Sequence, residues 1–568
     1  MKNHLTKSLL LMAVLFAAIP VCAYDFSEEN EDGKTIYYNI INEKLKTCEV
    51  TAMEDRHSWS GNDTLLDYVG DLRIPSYANG YQVSRIGNHA FSCCKKMTSV
   101  TLPNTITSIG YSGFWYCTGL TSISLPNSVT TIDHGVFSGC SGLTSVSLSN
   151  SVTSIGSRAF SDCTGLTSIV LPNSLSIISE NLFYNCTNLT TVSIPNSVVT
   201  IGERAFQECS SLTNVTIPNS VTSIGVYTFG GCNAFTSITI PESVSSIEAY
   251  AFANCPNITN IVVEQGNPYY NSGNGSNAII ETSTNTLITG CMNTVIPNTV
   301  TSIGNGAFRG CTGLTSIEIP ETVISIGNSA FAWCYGLTDI NIPNSITSIE
   351  PGAFQGCRIL ESITIPNSVT TIGNSAFAFC YALTALTIPN SVTSIGERAF
   401  WYCTSLESVT SCITDIFETG NGAFMNCPNA TLYVPAGMVG TYQSTADWNR
   451  LTNIEEIPGI SLAFGCSNHG KVTINDTFTF TNKLGQASVY DGIESKFVFT
   501  PDEDCQLDRV LLNGLDVTKS VKDNQLTTTI LPNSSMMVIF SSESNDINHD
   551  GQVNIADVVA LVKIILGQ

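Results

Sequence analysis

A mainly β solenoid of about 14 coils is the fold class this sequence predicts, from a fixed repeat, the apolar pattern inside it and its composition. Cysteine recurs as Cys94, Cys117, Cys140, Cys163, Cys186, Cys209, Cys232 and Cys255, then as Cys311, Cys334, Cys357, Cys380, Cys403 and Cys427. The step is 23 residues, with one break of 56 and a last step of 24. A period of that size marks units that bury their apolar faces only by stacking on neighbours. Within a unit, Leu212, Val215, Ile217, Val221, Ile224, Phe229 and Cys232 follow offsets that match no single helix or strand. Only 12% of the residues are charged, about half the share of an ordinary globular domain, and Ser, Thr and Asn crowd every repeat. At 568 residues the chain is too long for one compact core, whereas a stack of coils grows without enlarging its core.

Taken in order, the elements begin with a leader at residues 1–23. Lys2 and Lys7 precede an apolar run from Leu9 to Ile19, and Val21, Cys22 and Ala23 form a small-residue exit, so a secretory signal cleaved after Ala23 is expected. Cys22 raises a lipoprotein alternative, against which Val21 stands where a small residue is wanted. No later apolar run approaches the roughly 20 residues of a membrane span.

In each repeat, the stretch from Leu212 to Ile217 reads as a short strand with Val215 and Ile217 inward and Asn214 and Thr216 outward. Pro218 and the following Asn-Ser stop it. Val221 to Ile224 forms a second β-branched stretch, and Gly225 opens a turn or single helical coil that carries Phe229 and Cys232 inward. At roughly 4.8 Å per coil the stack is on the order of 65 Å long. After Pro458 the period vanishes. Phe497-Val498-Phe499, Val510-Leu511-Leu512 and Met537-Val538-Ile539-Phe540 suggest a separate small all-β domain over 458–542.

The unit from Leu383 to Cys403, L-T-A-L-T-I-P-N-S-V-T-S-I-G-E-R-A-F-W-Y-C, resembles the leucine-rich repeats of BspA-like bacterial surface proteins, and the resemblance runs from about Val83 to Glu456. It implies a right-handed leucine-rich-repeat solenoid over 84–457, straighter than a horseshoe because Pro218 and its equivalents follow the strand. It further implies an N-terminal β cap over 24–83 and an insertion at 256–300 announced by Gly266-Asn267-Pro268-Tyr269-Tyr270. Leu432-Tyr433-Val434-Pro435-Ala436-Gly437 with Trp448 resembles the closing cap, and the all-β domain is similar to spacer modules that follow adhesin repeats.

Residues 543–568 hold the sharpest chemical motif. Asp546, Asn548, Asp550 and Asp557 stand at positions 1, 3, 5 and 12 of an EF-hand-like loop with Gly551 at position 6, a spacing that supplies side-chain oxygens to Ca2+ around a sharp bend. Gln552 would add its backbone carbonyl, and Asn554 a water-mediated contact. With Val558, Leu561, Ile564, Ile565, Leu566 and Gly567 following, the segment looks like one dockerin repeat, of which a full dockerin carries two, and the resemblance implies a cohesin-like partner.

The cysteine column reads as buried free thiols. In a parallel stack the Cβ atoms stay near the strand spacing, beyond disulfide reach, and regular C-x-x-C pairs that would hold zinc are missing. Cys48, Cys93, Cys291, Cys412, Cys466 and Cys505 lie off the column, and Cys466 with Cys505 is the candidate disulfide. Around the column stand Trp115, Tyr116, Tyr184, Trp333, Tyr335, Phe379, Tyr381, Trp401 and Tyr402. Such aromatics either pack between coils or offer a contact surface for a protein or a sugar.

Catalytic patterns are missing: His57, His89, His134, His469 and His549 fall in no recognisable pairing, and neither G-x-S-x-G nor H-E-x-x-H occurs. A formal charge of -23 argues against nucleic-acid and anionic-membrane partners. The expected function is that of a secreted or cell-surface bacterial adhesin without enzymatic activity. The resemblance implies matrix and plasma proteins as ligands, while the residues themselves imply only a protein-binding surface; the expected partner is an extracellular protein or glycan. The alternative is a non-catalytic component of a polysaccharide-degrading assembly, tethered through the dockerin-like tail.

Overall fold

The computed structural model describes residues 24–52, 68–457 and most of 459–541. The leader, Cys505 and the calcium loop Asp546 to Asp557 lie outside the described residues. Two compact units emerge, one running to Thr431 and including Ser444–Thr452, the other comprising Leu432–Gln443 and the chain from Asn453 onward.

The first unit is a β solenoid with a 23-residue period. On one side of the stack, strands such as Ser122–Ser124 and Ser145–Ser147 pair in parallel with a register of one coil. On a second side, Ser108–Ile109, Thr131–Ile132 and Ser154–Ile155 do the same. These strands are two to five residues long because each coil must turn again before a longer strand can form. Two segments depart from the sequence reading: Leu212 to Ile217 and Leu360 to Ile365 form no strand, although Leu212, Ile217, Leu360 and Ile365 are buried and Asn214, Thr216, Ser362 and Thr364 exposed. Burial there follows the side-chain alternation without a continuous ladder.

A third side of each coil lacks strands yet is stitched just as regularly. The N–H groups of Ser112, Phe114 and Tyr116 donate to the carbonyls of His134, Val136 and Ser138 at 3.0, 2.9 and 2.8 Å. Two residues per coil, two before and two after the core Phe, adopt a left-handed backbone: Ser112 and Tyr116 around Phe114, Arg204 and Glu208 around Phe206, Ser375 and Phe379 around Phe377. This pair closes a tight turn while every second N–H faces the next coil.

The core is a column of phenylalanines. From Phe91 to Phe252, and again from Phe308 to Phe424, successive rings stack with centroids 5.0–5.7 Å apart and planes within 17°, an offset arrangement that aromatic quadrupoles favour. Tyr68 meets Phe91 edge-on at 5.5 Å at the start. At the end, fully buried Trp448 lies 5.3 Å from Phe424 and donates from Nε1 to the Phe417 carbonyl.

Beside the rings runs the cysteine column, and it does more than fill space. Cys117 Sγ donates to the Phe91 carbonyl at 3.0 Å, and the link recurs in later coils up to Cys427 and Phe400 at 3.3 Å. A thiol is a weak donor, but it offers the Phe carbonyl a second partner. All cysteines described with side chains are free. Burial pushes Cys255, Cys334 and Cys380 up to about 12, so these thiols stay protonated and unreactive at neutral pH.

Outside the core, the Ser and Thr that dominate the composition bond between coils. Thr121, Thr144 and Thr190 hydroxyls donate to the carbonyls of Thr98, Thr121 and Thr167. Ser174, Ser197 and Ser220 reach the carbonyls of Val152, Leu175 and Val198. These hydroxyls form ladders along the stack, while the outward strand residues Ser122, Ser124, Ser145 and Ser147 are exposed.

At the N-terminal end, β1 (Phe26–Glu29), β2 (Thr35–Asn42) and β3 (Thr47–Thr51) form an antiparallel meander. β3 then pairs in parallel with Tyr81–Ile86, which hands the sheet to the coils. Gly70–Arg73 already pairs in parallel with Met97–Thr101. The 56-residue break hides a further coil. Tyr270–Asn271, Ile279–Glu281 and Thr286–Thr289 form an antiparallel meander whose last strand joins Ser302–Ile303 in parallel. Cys291, read as off the column, is buried, and its Sγ donates to the Asn277 carbonyl at 3.7 Å. Asn267 staples this segment down: its Nδ2 donates to the carbonyls of Pro241 and Val244, and its Oδ1 accepts from the amides of Tyr269 and Tyr270.

In the second unit, from residue 459 on, two sheets enclose a core of Val472, Ile474, Phe497, Phe499, Val510, Leu526, Met536, Val538 and Phe540. One sheet has the order Leu484–Tyr490, Gly459–Cys466, Ser535–Ser541, Gln506–Leu512, Leu515–Asp516; the other runs Phe478–Thr481, Gly470–Ile474, Glu494–Pro501, Gln525–Thr529. Gly470 admits no side chain, since a Cβ there would lie 2.5 Å from the Phe540 ring. The α-helix of the described residues is a six-residue segment, Val439–Ser444.

Candidate functional site

The position before each column cysteine has a left-handed backbone, which Gly, Asn and Asp tolerate best. Gly139, Gly231, Gly310 and Gly356 occupy it in four coils, and Asp162, Asn185, Asn254 and Asn426 in four others. Tyr116, Trp333, Phe379 and Tyr402 hold the same conformation with φ of 57, 63, 64 and 60°. A bulky residue there works against its backbone by roughly 1–2 kcal/mol, so these four aromatics persist because something offsets that cost.

Part of the compensation is packing onto the next coil. The Tyr116 ring covers Gly139 and the Trp333 ring covers Gly356: a Cβ on either glycine would come within 2.6 and 2.3 Å of ring atoms. Having passed Gly356, Trp333 meets Phe379 two coils on, with centroids 5.9 Å apart. Phe379 continues to Tyr402 at 5.7 Å in a stacked pair and to Trp401 at 4.9 Å. A second row lies alongside. Tyr335 sits edge-on to Trp333 at 6.3 Å and Tyr381 edge-on to Phe379 at 6.1 Å. On the intervening coil, the Arg358 guanidinium lies 4.2 Å from the Tyr335 centroid and 5.9 Å from that of Tyr381. Arg398 stands 5.2 Å from Trp401 while paired with Glu397.

Six of the predicted aromatics therefore form one continuous side of the last coils, half-buried except for exposed Tyr402. Trp115 and Tyr116 make a separate edge-on pair at 4.6 Å, on the order of 40 Å away by the number of intervening coils. Tyr184 is half-buried in a coil between the two groups. The sequence reading missed Arg358, which joins the second row, and Gly356, which gives the first row room. Gly356 was signalled by the large Trp333 23 positions before it, and Arg358 by Tyr335 and Tyr381 23 positions to either side.

Among the described residues, no group of three or more His, Cys, Asp and Glu is placed to hold a metal ion. Glu318 and Asp339, outward on neighbouring coils, are exposed. The expected calcium ligands and the Cys466–Cys505 pairing cannot be placed, because the loop and Cys505 lie outside the described residues. No helix among the described residues is long and apolar enough to cross a membrane.

The profile described as "BspA type Leucine rich repeat region (6 copies)" matches residues 72–190, 176–287, 285–407, 325–445 and 371–484. A leucine-rich cell surface protein of Faecalibacterium prausnitzii is 31% identical, with 69% of this chain and 96% of that one covered and a TM-score of 0.52. A leucine-rich repeat protein of Bacteroides ovatus is 25% identical over 77% of this chain and all of its own, with a TM-score of 0.43. The pneumococcal vaccine antigen PcpA is 18% identical over 76% of this chain and 99% of its own, with a TM-score of 0.47. No curated protein matches, and none of these comparisons identifies a catalytic family. With the profile covering well over half its length, this chain belongs to the BspA-type leucine-rich-repeat family.

Proposed function

We propose that the protein is a secreted or cell-surface adhesin without enzymatic activity, which holds an extracellular macromolecule on the aromatic side of its last coils. The observation that carries this reading is the continuous run of Trp333, Phe379, Trp401 and Tyr402 along neighbouring coils with Arg358 beside it, whereas the left-handed backbone is shared by all coils, Cys93 and Glu208 included. Trp, Tyr and Arg also dominate the energetics of protein contact surfaces. The cell-surface description of the Faecalibacterium prausnitzii relative supports export, with cleavage after Ala23. The test is the double variant Trp333→Ala/Trp401→Ala, screened beside the wild type against matrix proteins and glycans. Loss of binding with a retained fold supports the reading, and unchanged binding refutes it.

The spacing of Asp546, Asn548, Asp550, Gln552 and Asp557 favours a second role for the tail: Ca2+ binding and attachment to a cohesin-like partner, as in a polysaccharide-degrading assembly. Pull-down of such a partner by the full chain, lost with EDTA, tests it. Capture that survives EDTA or deletion of residues 546–568 contradicts it.

A further inference from the structure

We propose that the partner seated on the aromatic side is an acidic segment of a protein, its carboxylates set against Arg358 and its apolar side chains against Trp333 and Phe379. This rests on the placement of the ligand side above and adds the chemistry of what binds there. Arg358 lies between Tyr335 and Tyr381 with its Nη2 only 3.5 Å from the Tyr335 hydroxyl. Rings on both sides leave the donor-bearing edge of the guanidinium for a ligand, and that edge matches a carboxylate in two parallel bonds.

Among the described residues no carboxylate lies within ion-pair distance of Arg358, a condition it shares with Arg158 and Arg309, whereas Arg398 two coils on pairs with Glu397; what sets Arg358 apart is its seat between Tyr335 and Tyr381. It is exposed, a cationic side chain in a chain of formal charge -23. Beside it Ile359 is 44% exposed, giving the guanidinium an apolar border.

The ring geometry selects a protein over a glycan. A sugar stacks on an open aromatic face, but here Phe379 and Tyr402 stack with planes 18° apart, and Arg358 lies between the tyrosines of the second row. What a ligand meets is ring edges, hydroxyls and guanidinium nitrogens, which favour acidic oxygens.

The probe is poly(Glu,Tyr) copolymer, with polygalacturonate as the acidic glycan, offered to the immobilised full chain at low and physiological salt. The expected result is binding of the copolymer that weakens with salt and falls roughly tenfold or more in Arg358→Gln, a surface change that leaves the melting profile intact. Trp333→Ala weakens it as well. Copolymer binding indifferent to Arg358→Gln, no copolymer binding, or tighter binding of polygalacturonate overturns the inference. If the copolymer fails while Trp333→Ala/Trp401→Ala still abolishes capture of an extracellular protein, the ligand side stands and only its acidic partner is wrong. If that double variant leaves capture intact, the placement itself fails.

Discussion

The indole of Trp333 lies directly on the backbone of Gly356 in the next coil, so close that a Cβ on that glycine would stand 2.3 Å from ring atom Cε3. A left-handed aromatic in one coil is thus housed by a left-handed glycine in the next, and the pair extends the aromatic side from the coil of Cys334 to that of Cys403.

Gly356→Ala is therefore expected to cost more than its backbone strain. Gly356 has φ of 74°, and Gly80 has φ of 77° with nothing within 4 Å of an added Cβ. Alanine at Gly80 bears only the conformational cost, about 1 kcal/mol, whereas at Gly356 displacement of the indole raises the total to about 2–3 kcal/mol. Thermal unfolding of the two variants checks this: equal shifts in the unfolding midpoint would mean that the indole does not rest there.

Stability should fall steeply above pH 9. Burial raises Cys255, Cys334 and Cys380 from the ordinary thiol value of 9.0 to about 12. A raised folded value means stability that is complete below pH 9 and is lost as the unfolded chain ionises first. Between pH 9 and 12 each such thiol removes about 1.4 kcal/mol per pH unit, and Tyr38, also raised by burial, acts in the same direction. Denaturant unfolding from pH 8 to 11 should show a falling midpoint, and a flat profile would contradict the buried thiol column.

Alkylation at pH 8 without denaturant should modify exposed Cys93 and spare the buried column cysteines. Intact-mass analysis counts the adducts. Prompt labelling of Cys186 or Cys357 would show that the coils open far more readily than their packing allows.

Asn267→Ala should loosen the junction at the inserted coil. It removes two donor bonds to Pro241 and Val244 and two acceptor bonds from Tyr269 and Tyr270, a loss of about 2–4 kcal/mol at net values near 1 kcal/mol each. Hydrogen exchange should accelerate around 241–270 with distant coils unchanged; unaltered exchange there would deny Asn267 this role.

The coils were legible because their signal is redundant: Phe229, Cys232, Val221 and Ile224 each have counterparts every 23 residues, so one ambiguous unit is corrected by the rest. The 56-residue gap was not resolved into a coil, because Gly290 stands against the Phe308 ring where a large side chain cannot fit and Cys291 is out of step with the period. The strand expected over Leu212 to Ile217 failed because alternation reports which side chains are buried and not whether the backbone pairs. At the candidate site the aromatics could be named from their place beside Cys334, Cys380 and Cys403. Their left-handed backbone was signalled only by Gly139, Asn185 and Gly356 in other coils, and the role of Arg358 arises from neighbours a full coil away on either side.

The most direct test of the account is binding by the full chain and by Trp333→Ala/Trp401→Ala, with unfolding followed on the same samples. The account predicts that the wild type captures an extracellular macromolecule and that the double variant loses this capture while keeping a cooperative transition at a midpoint within a few degrees. Equal capture by both proteins, or loss of capture only together with unfolding, would contradict a contact surface and leave the aromatics as packing between coils.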